Sequence, residues 1–277
     1  MLKKLLKYDT LSIIRYWWII AVAVVATTGV EIVCSNFNSN YFMSDNEVVS
    51  LMAVVAYLIA SLCNLIILGS SIVTMLMVYV RFYKNLFTDE GYLTFTLPVK
   101  RSELLASKTI HAFTWQTLHL LLIAVCKTVS YAATDNYLYT SSVEWLSQAW
   151  ENNGAWLILY GLLLLVMYVG IMLFSIALVY FCITLGAVIV KKAKLILSIA
   201  IYYVLNSIIN STVMTAFFII IGVVVASYDI MFSTVTDLQL NIVIALALAV
   251  IALIIFIFTA LMYFITLSCI ERRLNLA

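Results

Sequence analysis

Six apolar stretches, each long enough to cross a bilayer, leave this chain few ways to fold: Tyr16–Cys34, Ser50–Val80, Leu104–Tyr131, Ala155–Val190, Leu195–Ser227 and Leu240–Ile270. A spanning helix needs about 20 mostly apolar residues. Hydrophobic residues fill 65% of 277 positions and charged residues only 10%, where soluble domains run near roughly 45–50% and about 25%. The bilayer is therefore the solvent. The expected fold class is all-α, a polytopic integral membrane protein formed as a single transmembrane domain over residues 1–277. Several stretches exceed the minimum length, so tilt, a kink or an interfacial helix must absorb the excess.

Charge sets the expected orientation. Lys3, Lys4, Lys7 and Arg15 precede the first span, and Arg81, Lys84, Lys100, Arg101 and Lys108 follow the second. Lys191, Lys192 and Lys194 follow the fourth, and Arg272 and Arg273 close the chain. The alternate loops hold Glu31, Asp45 and Glu47, then Asp135, Glu144 and Glu151, then Asp229 and Asp237. Of the fifteen basic residues only Lys127 falls on that other side. Both termini are expected to be cytoplasmic. The basic residues are topology signals, so they imply no nucleic-acid partner; lipid is the partner that composition implies. The lead-in Leu2–Tyr8, with Lys3, Lys4 and Lys7, suits a short helix on the inner surface or a flexible polar segment. The apolar run behind it is too long for a signal-peptide core, which predicts an uncleaved first span.

The outer loops, about Ser35–Val49, Ala132–Gly154 and Tyr228–Gln239, are too short to form domains. Trp145, Trp150 and Trp156 in the middle one suit a membrane–water interface. The five cysteines (Cys34, Cys63, Cys126, Cys182, Cys269) are scattered without metal-ligand spacing. No G-x-x-x-x-G-K-[ST] phosphate loop occurs, nor do H-E-x-x-H or G-x-S-x-G. The chain is expected to bind no cofactor and to catalyse no reaction of its own.

The one sizeable polar stretch between spans is the elbow Arg81–Lys108, and it carries the only proline, Pro98. Its string Asp89, Glu90, Gly91, Tyr92, Leu93, then Thr96, Leu97, Pro98, Val99, Lys100, Arg101, then Ser107 and Lys108 resembles the segment after the second span of ABC-2 type transporter permeases. In that family an acidic-glycine turn, a leucine-proline step, a basic residue and a small-residue–lysine pair lead into the third helix. Lys100 departs from the pattern, standing where a small hydroxyl residue is common. The Gly91-to-Pro98 gap is too short for the loop of importer permeases. The resemblance implies half of a dimeric permease, paired with an identical or homologous half and driven by separate ABC ATPase subunits. Those subunits would use ATP and Mg, and the complex would export an amphipathic peptide, antibiotic or lipid-like molecule.

The residues of the elbow suit that role. Phe82, Tyr83, Leu86 and Phe87 follow i, i+1, i+4, i+5 spacing, an apolar-aromatic stripe on a short helix beyond the bilayer. Asp89 and Glu90 stand where acids favour a helix N-terminus. Gly91 allows a sharp bend, and Pro98 breaks the run before the third span. A short helix within the coupling segment, residues 81–103, can dock in a groove of an ATPase through Phe82–Tyr92, with Phe82, Tyr83, Leu86, Phe87, Asp89, Glu90, Gly91 and Tyr92 as the coupling residues. The same pattern also fits an interfacial helix that only packs under the bundle.

Two spans carry polar residues. In the third, Lys108, Thr109, Gln116, His119 and Lys127 fall within an arc of roughly 100°. Lys127 can snorkel to the outer face, which leaves Gln116 and His119 either to line a pathway or to glue helices. In the fifth, Asn206 and Asn210 stand one turn apart beside Ser207, Ser211 and Thr212, as helix-packing groups or a substrate-contacting patch. Two other functions fit the composition. One is a non-transporting sensor or immunity protein with a peptide site at the outer face; the other is an intramembrane enzyme using His111 or His119.

Overall fold

The computed structural model describes residues 2–96, 98–134, 137–190, 193–226 and 237–272. Leu97, Asp135, Lys191, Lys192, Ser227, Asp229 and Arg273, with most of the expected loop Tyr228–Gln239, lie outside the described residues. Among the described residues every regular element is a helix: α1 Leu2–Tyr41, α2 Glu47–Phe87, α3 Asp89–Thr96, α4 Arg101–Ala133, α5 Tyr137–Ile189, α6 Lys194–Ala226 and α7 Asp237–Arg272. Six of them are long and apolar enough to cross a membrane. In hydrocarbon each backbone N–H and C=O must be satisfied within its own segment, which an α-helix does. The protein is an all-α polytopic membrane protein.

The helices overrun the apolar stretches, because a helix need not stop where lipid does. α1 begins at Leu2 and runs without a break through the first span to Tyr41, so the basic lead-in is a continuation of that span. The middle outer loop is itself helical: α5 starts at Tyr137, well before its apolar part at Gly154. Its 53 residues make it about 80 Å long, against a hydrocarbon core of about 30 Å. Trp145 and Trp150 are exposed on this extension. Only a short turn joins α1 to α2, and there Asn46 Oδ1 accepts from the Val48 amide at 3.0 Å, capping α2.

The chain forms two compact units. The first holds residues 1–84 and 103–152, so it comprises α1, nearly all of α2, α4 and the α5 extension. Its buried stripes are regular: Ile13, Trp17, Ala21 and Val24 on α1; Ala53, Ala56, Ala60, Cys63 and Ile67 on α2; Leu105, Ala112, Trp115, Ile123 and Cys126 on α4. The alanine run on α2 lets a neighbouring backbone come close, the usual device where lipid supplies no hydrophobic drive between helices.

The second unit holds residues 85–102 and 153–277. Tyr160 Oη donates to Asn241 Oδ1 at 2.9 Å, joining α5 to α7. The α5–α6 corner is tight. Ser198 Oγ donates to the Lys194 carbonyl at 2.8 Å and reaches the Ile183 carbonyl at 3.3 Å. A Cβ on Gly186 would lie 2.1 Å from Ser198 Oγ, 2.8 Å from its amide nitrogen and 2.9 Å from the Lys194 carbonyl oxygen. The hydroxyl could rotate away, but the backbone could not.

Gly186→Ala is therefore expected to destabilise the protein by about 1–3 kcal/mol through overpacking. Gly69→Ala, where a Cβ meets nothing within 4 Å, should match the parent or exceed it. Apparent melting temperatures in a mild detergent compare the two; equal losses would refute the corner's tightness.

Candidate functional site

Two places concentrate polar chemistry: a seam in the first unit, and the elbow, of which residues 85–102 belong to the second. The seam runs along α4. Lys108, His111, Gln116 and His119 are all buried there, and Lys127 is nearly so. At the end of α4 next to the elbow, Lys108 Nζ donates to Asp9 Oδ1 at 2.5 Å, and Ser107 Oγ lies 3.5 Å from Asp9 Oδ2. Both charged side chains are more than nine-tenths buried. At the far end, Lys127 Nζ donates to both carboxylate oxygens of Glu31 at 2.9 Å, and to Asn64 Oδ1 of α2. Between them His119 Nε2 stands 3.0 Å from Ser70 Oγ of α2.

These contacts correct two expectations. Lys127 does not snorkel; it is held by a carboxylate that sequence counting assigned to an outer loop. Glu31 lies inside α1 with only 4% of its surface exposed. A charge in mid-membrane costs about 2.5–3.5 kcal/mol even by insertion scales, so an acid and a base that both enter the bundle gain by meeting. The stripe on α4 was legible from its helical period, whereas Asp9, Glu31, Asn64 and Ser70 were not. Each is a lone polar residue whose role exists only opposite α4.

Ser70 and His119 have the spacing of a nucleophile and its base. However, Ser70 Oγ donates to the Ile67 carbonyl at 2.5 Å, so its proton points away from the imidazole. Among the described residues no three His, Cys, Asp or Glu side chains gather to hold a metal ion. On α6, Asn206 is half-buried and Asn210 is exposed.

The elbow differs from its expected form. Phe82, Tyr83, Leu86 and Phe87 do not make a separate short helix; they are the last turns of α2. Phe82, Leu86 and Phe87 are buried, and Tyr83 is half-buried. The stripe faces inward and packs the elbow. Phe82 and Tyr83 fall in the first unit, as do elbow residues 103–108, while Leu86, Phe87 and the elbow through Ser102 fall in the second. The short helix is α3, which begins at Asp89; the side chains of Asp89 and Tyr92 lie outside the described residues. Glu90, Pro98 and Lys100 are exposed.

Gly91 acts by proximity and not by unusual torsion, since no glycine among the described residues has positive φ. A Cβ there would stand 2.6 Å from the Leu86 carbonyl oxygen and 2.8 Å from its carbon. Only glycine lets α3 fold back this closely on the end of α2. The other end of the elbow is clamped by Arg101. Its guanidinium donates to the carbonyls of Ile270 and, at 3.0 Å, Glu271, in the last turn of α7. It also lies 5.4 Å from the Phe95 ring centroid. Cations at a helix C-terminus satisfy its open carbonyls and complement its dipole.

Comparison with protein-family models, curated proteins and solved structures returns no match.

The far-end pair makes a double-mutant cycle informative. Lys127→Met leaves Glu31 buried without its cation and is expected to cost about 3–5 kcal/mol, as breaking a buried pair does. Glu31→Gln should destabilise as well. The double substitution should be less harmful than Lys127→Met alone, measured by unfolding in mixed micelles. Simple additivity would mean that the two side chains do not interact.

Proposed function

We propose that this chain is the membrane-spanning permease subunit of an ATP-driven ABC exporter, with the elbow receiving mechanical work from a separate ATPase. The observation that carries this reading is the build of the elbow. Gly91 seats α3 against the end of α2, and Arg101 fastens the following residues to the end of α7. A lever must be stiff, and a segment anchored at both ends can move a spanning helix as a rigid body. The sequence of that segment resembles the corresponding part of ABC-2 permeases, and the chain contains no phosphate-cradling loop of its own.

In this reading the elbow, both termini and the basic flanks face the cytoplasm of a bacterial cell. The ATPase would grip the exposed Glu90, Pro98 and Lys100, with the buried Phe82, Leu86 and Phe87 holding the shape from within. A push on α3 would pass through Arg101 into α7. A second permease half would complete the pathway, and the cargo class is an amphipathic peptide, antibiotic or lipid-like molecule.

Two substitutions test this in different ways. Glu90→Lys reverses an exposed charge and should abolish co-purification of the ATPase, with membrane insertion and yield unchanged. Arg101→Gln should retain the ATPase but lower transport-coupled ATP hydrolysis by about tenfold or more, the scale of losing a charged hydrogen bond. If the chain purified alone moves substrate or turns it over without a nucleotide hydrolase, the proposal is wrong.

A further inference from the structure

The hydrogen bonds of the α4 seam leave a remainder. Ser70 has one hydroxyl proton, and it is directed at the Ile67 carbonyl. Toward His119 the same oxygen is then an acceptor, so Nε2 of the ring carries the hydrogen. In the neutral imidazole this makes Nδ1 an acceptor, and Nδ1 is buried without a partner among the described residues. The reverse tautomer would leave a bare donor at the same atom. Three residues earlier, on the same face of α4, Gln116 Nε2 is a donor and is also buried and unpartnered. His111 Nε2 and Trp17 Nε1 share that condition. Trp17, on α1, packs on Trp115 at 5.3 Å, and Trp115 on His111 at 6.3 Å.

Unpartnered polar atoms cost about 1–3 kcal/mol each when dry, and native structures rarely keep several together. An i, i+3 pair stands about 5–6 Å apart between Cβ atoms. A water between them can accept from Gln116 and donate to His119, satisfying both.

The seam is one-sided. From His119 toward the elbow end come Gln116, His111 and the Asp9–Lys108–Ser107 cluster, all buried polar groups at successive turns. Toward the far end the next turn is apolar: Val24, Ile67, Ile123 and Cys126 form a buried cluster, with Ile20 and Leu122 packed against it. The Lys127–Glu31–Asn64 group lies beyond.

We propose that this seam is a proton-binding site with internal water, centred on His119 and bridged to Gln116. A row of buried polar groups joins it to the elbow end, and the Val24–Ile67–Ile123–Cys126 cluster closes it toward the far end. The ionisable groups on the elbow side of that cluster are Asp9 on α1, Arg81 on α2, and Lys108 and His111 on α4; Glu31, Cys63 and Lys127 lie on its far side and Cys126 within it. Lys108 and Lys127 are each neutralised by a carboxylate. That leaves two buried imidazoles, His111 and His119, and His119 is the one next to the apolar cluster, about 16 Å along α4 from Lys108. The site needs no ATPase, so its test is independent of the transport reading.

The test uses the full chain in liposomes containing a pH-sensitive dye, under a potassium diffusion potential. The parent protein should be proton-tight. Ile123→Asn or Ile67→Asn, which put a polar side chain into the barrier, should raise proton flux by about tenfold. Adding His119→Leu to either should return flux to the parent level, and Gln116→Leu should lower it. A leak that ignores His119→Leu, or no leak from either barrier variant when properly folded, overturns the proposal. Water-edited solid-state NMR of the histidine-labelled parent protein tests the site without disturbing the barrier. Transfer from water to the ring nitrogens of His119, assigned by their loss in His119→Gln, is expected. A His119 ring with no water contact overturns the proposal.

Discussion

Hydrocarbon cannot solvate a charge, so each ionised side chain on α4 has to be answered from α1 or α2, and this requirement fixes the first unit. Lys108 meets Asp9 and Lys127 meets Glu31, which makes α1 and α4 run parallel. The two lysines are about 28 Å apart along α4 and the two acids about 33 Å apart along α1. The excess is small enough for lysine side chains and a helix crossing angle to absorb. α2 runs the other way, and its Asn64 and Ser70 meet Lys127 and His119 in matching order. Sliding any of the three helices by a turn would separate at least one charge from its partner. Buried pairs often add little net stability, but breaking one is costly. Their effect here is to set register.

Between the two ionic ends the packing follows from size. The Val24–Ile67–Ile123–Cys126 cluster closes the helices against each other there, and the α2 alanines Ala53, Ala56 and Ala60 do so past the Lys127–Glu31–Asn64 group. The cluster separates the buried polar groups Gln116, His119 and the Asp9–Lys108 pair on one side from the Lys127–Glu31 salt bridge on the other.

The second unit is held differently. The apolar cores of α6 and α7 are only 6% buried within the chain, so most of their surface is left to lipid or to other chains. Some of its specific contacts sit at helix ends, Ser198 and Gly186 at the α5–α6 corner and Arg101 on the last carbonyls of α7. Others lie within the helices, Tyr160 bonded to Asn241 and Gly170 packed close to Ile255 and Phe256.

What the sequence disclosed follows from the same physics. The spans were legible because apolar runs of that length have no other use, and the α4 stripe because five polar residues shared one arc. Helix ends were not, since α1 and α5 continue as helix into polar sequence where hydropathy carries no signal. The stripe at Phe82–Phe87 had the right period but no mark of which way it faced, and the structure turns it inward. Charge counting contained one unused clue. Lys127 was the sole basic residue on the acidic side of the membrane, and Glu31 stood in the first loop counted on that side. A lone exception to charge asymmetry can be removed by pairing it with an opposite charge inside the bundle, since the two then cancel in the loop count. Burial of both residues in one contact is what the structure contains, so an isolated violation of the rule reads best as one half of an internal pair.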